Sequence, residues 1–118
     1  MKKKGDFGEN IACKHLEDKG YKIIERNWHF KHKEIDIIAL DKNQIVFIEV
    51  KFRKNTDDYS IFDVISKNKM KYIIDAADEY IKMNNIDIES RFDVIGITYC
   101  NKRLDIQHIT DAFNAFSI

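Results

Sequence analysis

The hydrophobic pattern of the chain centres on two apolar runs, residues 34–40 and 45–51, which are rich in Ile and Val. β-Branched residues of this kind favour strands. A short polar link around Lys42 joins the two runs, so the pattern predicts an antiparallel hairpin. Both runs carry charged residues at the end away from this link, which is unusual for strands that are otherwise so apolar.

In this hairpin we expect Asp36 to lie opposite Glu49, and Glu34 opposite Lys51. Directly opposed side chains have Cβ atoms roughly 4.5 to 5.5 Å apart, and two like charges there are destabilising unless a positive charge lies between them. Glu34 and Lys51 are expected to form an ordinary ion pair. Asp36 and Glu49 need a cation, which is either Lys51 or a divalent metal. A hard ion held by few carboxylates and several waters indicates Mg²⁺ or Mn²⁺.

The rest of the pattern predicts an α/β protein with a mixed five-stranded sheet and helices on its faces. Besides the hairpin, the periodicities predict the following elements: helix 6–19, strand 21–28, helix 60–84, strands 91–100 and 103–109, and a terminal helix from Thr110. Arg91 and Asp93, two apart on one strand, are expected to pair with each other or with the central strand.

Length and composition narrow the class of protein further. A chain of 118 residues has the usual size of one domain, so we take residues 1–118 as a single domain. Twenty basic residues balance twenty acidic ones, so any nucleic-acid binding depends on local patches. Two cysteines without metal-binding spacing fit free thiols in a reducing cytoplasm. No apolar run approaches the ~18 residues of a membrane span, and we expect no membrane contact.

Glu9 has two interpretations, and the sequence leaves both open. Three residues after Asp6, it completes a capping box at the start of the first helix. Alternatively, it lies at the border of the buried helix face and leans over Asp36 and Glu49 as a third carboxylate. The two interpretations require different conformations of the side chain.

Basic side chains near the hairpin are candidates for contact with phosphates. The turn that leads to Lys33 is rich in Lys and His, and Trp28 or Phe30 beside it is able to stack on a base. The alternative is a solvated loop with a core tryptophan. Arg53 belongs to segment 52–59, which we expect to be a mobile loop that closes over a substrate.

These residues belong to a wider pattern that runs along nearly the whole chain. Its motifs are Gly8-Glu9, Ala12, Leu16, Gly20, Arg26-Asn27-Trp28, Glu34-Ile35-Asp36, Phe47-Ile48-Glu49-Val50-Lys51, Arg91-Phe92-Asp93-Val94 and Ala112-Phe113. An aspartate in one strand followed by Glu-x-Lys in the next resembles the PD-(D/E)XK nucleases of restriction-endonuclease-like fold. The chain as a whole resembles the small bacterial YraN-like family, which is distantly similar to archaeal Holliday-junction resolvases.

The resemblance implies a metal-dependent DNA endonuclease that hydrolyses phosphodiester bonds, with branched, Holliday-junction-like or damaged DNA as its expected substrate. Asp36 and Glu49 would hold Mg²⁺ or Mn²⁺. The Val50 carbonyl would complete the shell, and Glu9 would contribute directly or through water. Lys51, on the same face as Glu49, would orient the attacking water and offset charge on the phosphate.

Lys67 corresponds to a lysine of the family pattern, so we expect it to face DNA together with Lys33 and Arg53. Lys69 and Lys71 are expected on a solvated helix face, and the alternative for both is contact with a phosphate.

Two other functions fit the same sequence. One is a non-catalytic nucleic-acid-binding module of the same fold, and the other is a structural or partner-binding subunit. A symmetric homodimer would suit a four-way junction, an expectation that rests on analogy between folds.

Overall fold

A single mixed sheet forms the middle of the molecule. The computed structural model describes residues 3–54 and 65–118, and in this part the elements are α1 Lys3–Asp18, β1 Lys22–Phe30, β2 Lys33–Asp41, β3 Gln44–Lys54, α2 Lys67–Met83, β4 Glu89–Cys100 and β5 Arg103–Phe113. The strands follow one another across the sheet in chain order. β3 and β4 are parallel, with α2 in the connection between them, and the other pairs are antiparallel. The predicted α/β class is confirmed, and the mixed sheet with two helices is consistent with a restriction-endonuclease-like fold.

α1 covers one face of the sheet and α2 covers the other. The core beneath α1 is built from inward-facing side chains of the central strands: Ile37, Ala39, Val46, Ile48, Ile95 and Ile97. The core beneath α2 includes residues of the same central hairpin: Ile38, Ile45 and Phe47. The central strands are therefore buried on both sides, as their near-continuous apolar sequence indicates.

β2 and β3 pair in the predicted register. The ladder runs from Asp41 opposite Gln44 to Ile37 opposite Ile48. Lys42 in the turn has a φ of 56°, the left-handed conformation that two-residue hairpin turns require. The register was predictable because the turn and the apolar pattern are both local.

α1 begins at Lys3, three residues earlier than predicted. An N-cap residue lies just outside its helix, whereas Asp6 lies within α1, so the helix start does not support the capping-box interpretation of Glu9. The end of the helix is as predicted, since Gly20 has a φ of 94°. The amides of Gly20 and Tyr21 donate to the carbonyls of Glu17 and Leu16, which is a Schellman motif.

The second hairpin is confirmed, whereas the terminal helix is not. β4 and β5 turn at Asn101 and Lys102, whose φ angles are 53° and 62°. β5 then continues to Phe113, past the predicted helix start at Thr110, and a 3₁₀ turn at Ala115–Ser117 follows. Phe113 is buried, but Phe116 is 96% exposed and does not seal the core.

A buried polar network explains why β5 continues. Asp93 accepts two hydrogen bonds of 2.9 Å from Arg91, one of 3.0 Å from the backbone N–H of Asp111, and one of 2.8 Å from His108 Nε2. Burial would raise the pKa of Asp93, but the hydrogen bonds from His108, Arg91 and Asp111 hold it below its usual value. Arg91 also donates to Asp41 at 2.9 Å. The predicted structural pairing of Arg91 and Asp93 is therefore confirmed.

Two predictions fall partly outside the described residues. Phe52 to Lys54 extend β3, and the rest of the predicted mobile loop 52–59 lies outside them, as does most of the segment before α2. α2 itself begins after the N-cap residue Ser66, whose side chain accepts a hydrogen bond from the Lys69 amide. Neither described helix has the length and apolar character needed to cross a membrane.

Candidate active site

Asp36 lies where the ladder between β2 and β3 ends. The last pair is Ile37 with Ile48, one position before Asp36 and Glu49 would face each other. Oδ2 of Asp36 instead accepts a 2.8 Å hydrogen bond from the Val50 N–H. This carboxylate therefore bridges the two strands with a side chain and is held at the open end of the hairpin.

Glu49 is buried beside two ammonium groups. Its side chain is 6% exposed, and Oε2 lies 3.3 Å from Lys51 Nζ and 3.8 Å from Lys69 Nζ. Lys51 reaches it because residues two apart on a strand share a face. Lys69 reaches it from the first turn of α2.

The two lysines do not fully offset the charges around Glu49. Burial and the negative charge of Asp36 raise the pKa of Glu49 to about 7, although Lys69 and Lys51 act to lower it. This carboxyl therefore keeps its proton to a higher pH than an ordinary glutamate does. Two carboxylates that resist ionising together are the donor set that a hard divalent cation neutralises, so the residues present fit Mg²⁺ or Mn²⁺.

A metal here would rely on few protein ligands. Among residues 3–54 and 65–118, no three His, Cys, Asp or Glu side chains come together as a group able to hold a metal. Mg²⁺ is normally held by one or two carboxylates together with waters and substrate phosphates. The N–H and C=O of one strand residue face the same neighbouring strand, so the Val50 carbonyl faces β2, as its N–H does.

Glu9 is buried on α1, and its carboxylate is 4% exposed. Its Oε1 lies 3.8 Å from Nη2 of Arg26 on β1. α1 packs on the face of Ile48, whereas Glu49, the next residue, points to the other face. To share a metal with Asp36 and Glu49, Glu9 would have to reach around the open end of the hairpin. Its role as a ligand stays a prediction.

Lys69 is the residue that sequence reasoning misplaced. A solvated face was favoured for it over contact with a phosphate, but its Nζ lies 3.8 Å from Glu49 Oε2 and 4.6 Å from the centre of the Tyr72 ring. Lys71 is 63% exposed and pairs with Asp75, as expected of a solvated residue. The helical phase was the available signal, since Lys69 lies four residues before the buried Ile73.

Tyr72 was also missed, and it joins α2 to the β1–β2 turn. Its hydroxyl donates a 2.9 Å hydrogen bond to the His32 carbonyl and accepts a 2.8 Å bond from the Glu34 N–H. The start of β2 is therefore fixed to α2 beside the carboxylates.

The predicted DNA-contacting residues Lys33, Arg53 and Lys67 differ in how far they are buried. Lys33 is the first residue of β2 and is half-buried. Arg53 shares a face of β3 with Glu49 and is half-buried, with Nη1 donating to the Phe52 carbonyl at 3.2 Å. Lys67 is exposed at the first position of α2. Contact of these residues with DNA stays a prediction.

The other charged and aromatic residues near the hairpin have structural neighbours. Oε1 of Glu34 lies 3.8 Å from His29 Nε2, and the ladder ends before Glu34 would face Lys51. Trp28 packs edge-on against Tyr80 with ring centres 5.1 Å apart, which supports the core-tryptophan interpretation.

Comparison with known protein sequences identifies a family and relatives to which this chain is similar. The profile of the "Uncharacterised protein family UPF0102" matches residues 8–97, a range that contains Glu9, Asp36, Glu49, Val50 and Lys51. The chain is 45% identical over 113 residues to a UPF0102 protein of Clostridioides difficile, covering 95% of this chain and 97% of the relative. It is 41% identical over 112 residues to a UPF0102 protein of Flavobacterium psychrophilum, covering 95% and 94%.

Proposed function

The chain belongs to the UPF0102 (YraN-like) family, and from the geometry of its site we propose that it is an Mg²⁺- or Mn²⁺-dependent DNA endonuclease. One observation carries the proposal. At the open end of the central hairpin, burial and the charge of Asp36 raise the pKa of Glu49, and Lys51 Nζ lies 3.3 Å from Oε2 of Glu49. Asp, Glu and Lys in this spacing resemble the metal site of PD-(D/E)XK nucleases.

Hydrolysis of a phosphodiester adds one water across a P–O bond. The water oxygen bonds to phosphorus, the bond to one sugar oxygen breaks, and that oxygen keeps the bonding pair and takes a proton. When bound, Mg²⁺ or Mn²⁺ supplies charge at the phosphate and lowers the pKa of the attacking water. Asp36, Glu49 and the Val50 carbonyl would hold the ion, and Glu9 is proposed as a further ligand, direct or through water.

Lys51 supplies donors and charge to the same reaction. Its Nζ is held at Glu49 Oε2, so it is already positioned before substrate binds. An ammonium in this place orients the attacking water and offsets the charge that develops on the phosphate oxygens. Asp36 keeps its orientation because the Val50 N–H donates to it.

Substrate binding falls to local basic residues because the chain has no net charge. We propose Lys33, Arg53 and Lys67 as contacts to the DNA backbone, branched or damaged DNA as the substrate, and a homodimer as the form that engages a junction. We also propose a cytoplasmic location, which the free thiols of Cys13 and Cys100 support.

The experiment that tests this proposal is cleavage of linear duplex, single-stranded, flap and four-way DNA in the presence of Mn²⁺. We expect Asp36→Asn and Glu49→Gln to abolish cleavage and to weaken metal binding measured without DNA. Asp75→Asn is the matched control, since that carboxylate is exposed and pairs with Lys71 away from the site. Equal cleavage by wild type and the two site variants would refute the proposal.

A second candidate is a non-catalytic nucleic-acid-binding module of the same fold. The observation that favours it is that Lys51 and Lys69 already supply positive charge to Glu49 without a metal. Titration of folded wild type with Mg²⁺ and Mn²⁺ separates the two candidates, because a binding module requires neither ion.

A further inference from the structure

Lys69 is held in one place by its surroundings. Its backbone N–H donates to Ser66 Oγ at 3.1 Å, which fixes the first turn of α2. Its Nζ lies 3.8 Å from Glu49 Oε2 and 4.6 Å from the centre of the Tyr72 ring. The side chain is nevertheless 35% exposed, so the ammonium group is positioned and still reachable from solvent.

The Tyr72 ring beneath Lys69 is itself fixed. Its hydroxyl makes two hydrogen bonds to the backbone of the β1–β2 connection, at His32 and Glu34. A ring held at its far end cannot swing away, so its face remains available to the ammonium of Lys69. α2 thus presents one lysine to the carboxylates on a rigid support.

Two ammonium groups, those of Lys51 and Lys69, lie beside Oε2 of Glu49, whereas a simple ion pair has only one. When both carboxyl groups are ionised, the formal charges of the two carboxylates, Asp36 and Glu49, and of the two ammonium groups, Lys51 and Lys69, sum to zero. A divalent cation held by the carboxylates would leave the site with two positive charges. A phosphodiester carries one negative charge and gains about one more when hydroxide attacks it, so the excess matches the reacting phosphate.

We propose that Lys69 is a second catalytic lysine that contacts the scissile phosphate, and that Tyr72 is a positioning residue that holds it; this inference rests on the proposed nuclease function. Lys51 approaches the phosphate from β3 and Lys69 approaches from α2. The two lysines together bind the negative charge that develops during hydrolysis.

The test separates catalysis from structure by measuring metal binding and turnover on the same proteins. Lys69→Met is expected to lower kcat by about 10²-fold or more with little change in KM. Mn²⁺ binding without DNA, measured by titration calorimetry, is expected to be unchanged or tighter, because a cation near the metal ligands has been removed. Weaker Mn²⁺ binding in proportion to lost turnover would mean that Lys69 only supports Glu49, which overturns the proposal.

The chain offers matched variants. Lys71→Met changes the same residue type on the same helix, two positions away and directed to solvent, and is expected to turn over like wild type. Tyr72→Phe keeps the ring and removes both hydrogen bonds, so we expect a loss of about 10-fold in kcat with metal binding intact. If Lys69→Met does not fold, Lys69→Gln gives the same comparison at this partly exposed position.

The outcomes distinguish this inference from the function on which it rests. Wild type that cleaves DNA, with Lys69→Met as fast as Lys71→Met, overturns the role of Lys69 and leaves the nuclease intact. Folded wild type that cleaves none of the DNA substrates with Mn²⁺ overturns both. Loss of turnover in Lys69→Met with metal binding retained, and partial recovery in Lys69→Arg, supports the inference.

Discussion

Glu49→Gln should make the protein more stable at pH 8, although it removes the partner of two lysines. Glutamine has nearly the shape of a protonated glutamate and cannot ionise. The folded-state pKa of Glu49 is about 7, above its ordinary value of 4.5, because the carboxyl is buried beside Asp36. The folded protein therefore holds this proton more tightly than the unfolded chain does.

The sign and size of the effect follow from that difference in pKa. The stability that the neutral carboxyl gives is fully present below about pH 4.5 and is lost as pH rises through 7. Raising the pKa from 4.5 to about 7 corresponds to roughly 3 kcal/mol at alkaline pH. For a protein of this size that is roughly 10 °C in Tm.

The assay is urea unfolding of wild type and Glu49→Gln at a series of pH values from 4.5 to 8, without divalent metal. Groups distant from the site titrate equally in both proteins, so the difference in free energy of unfolding reports Glu49 and the charges that interact with it. We expect wild type to lose roughly 3 kcal/mol relative to the variant across this range. Asp36→Asn is the control, because without the neighbouring charge the pKa of Glu49 falls and the pH dependence shrinks.

Parallel pH profiles for wild type and Glu49→Gln would refute the reasoning. They would mean that Lys51 and Lys69 offset the burial of the carboxylate completely. A wild type that gains stability relative to the variant as pH rises would reverse the sign, and it would remove the electrostatic argument that these carboxylates bind a divalent cation.

Two further predictions concern the metal and the buried network. Mg²⁺ at one hundred times its wild-type Kd should stabilise wild type by about 2.7 kcal/mol at pH 8, as measured by the shift in urea midpoint. The stabilisation should be smaller at pH 5, where more of Glu49 is protonated, and smaller in Glu49→Gln, where metal binding is weakened. Arg91→Leu should lower the free energy of unfolding by about 3 to 5 kcal/mol, because it leaves the fully buried Asp93 without its bidentate partner. A loss below about 1 kcal/mol, measured in the same assay, would show that water or another group replaces Arg91.

The features predicted correctly from sequence are those that depend on neighbours along the chain. The register of β2 and β3 follows from the turn at Lys42 and the apolar runs on either side. The end of α1 follows from Gly20, which adopts a positive φ without strain. Asp36 and Glu49 were singled out because charges interrupt otherwise apolar strands.

The features missed from sequence depend on contacts between distant parts of the chain. β5 continues through Thr110 because the amide of Asp111 donates to the carboxylate of Asp93, on the neighbouring strand. Lys69 reaches Glu49 because α2 crosses over the sheet. The sequence of the helix alone does not indicate that Glu49 is the partner of Lys69. The helical pattern gives no sign that Tyr72 differs from its neighbours, because its hydroxyl donates to the carbonyl of His32, a residue distant in sequence.

The parallel pairing of β3 and β4 determines the order in which the residues of the candidate site come together during folding. β1, β2 and β3 are joined by short turns and pair with sequence neighbours, so their contacts form at little entropic cost. β3 and β4 pair only after the whole connection through α2 has closed. Lys69 travels in that connection, so a nascent chain carries Asp36 and Glu49 well before the second lysine arrives. If the proposed nuclease function holds, we expect a partly folded or partly synthesised chain not to cleave DNA, with cleavage appearing in the last step of sheet assembly.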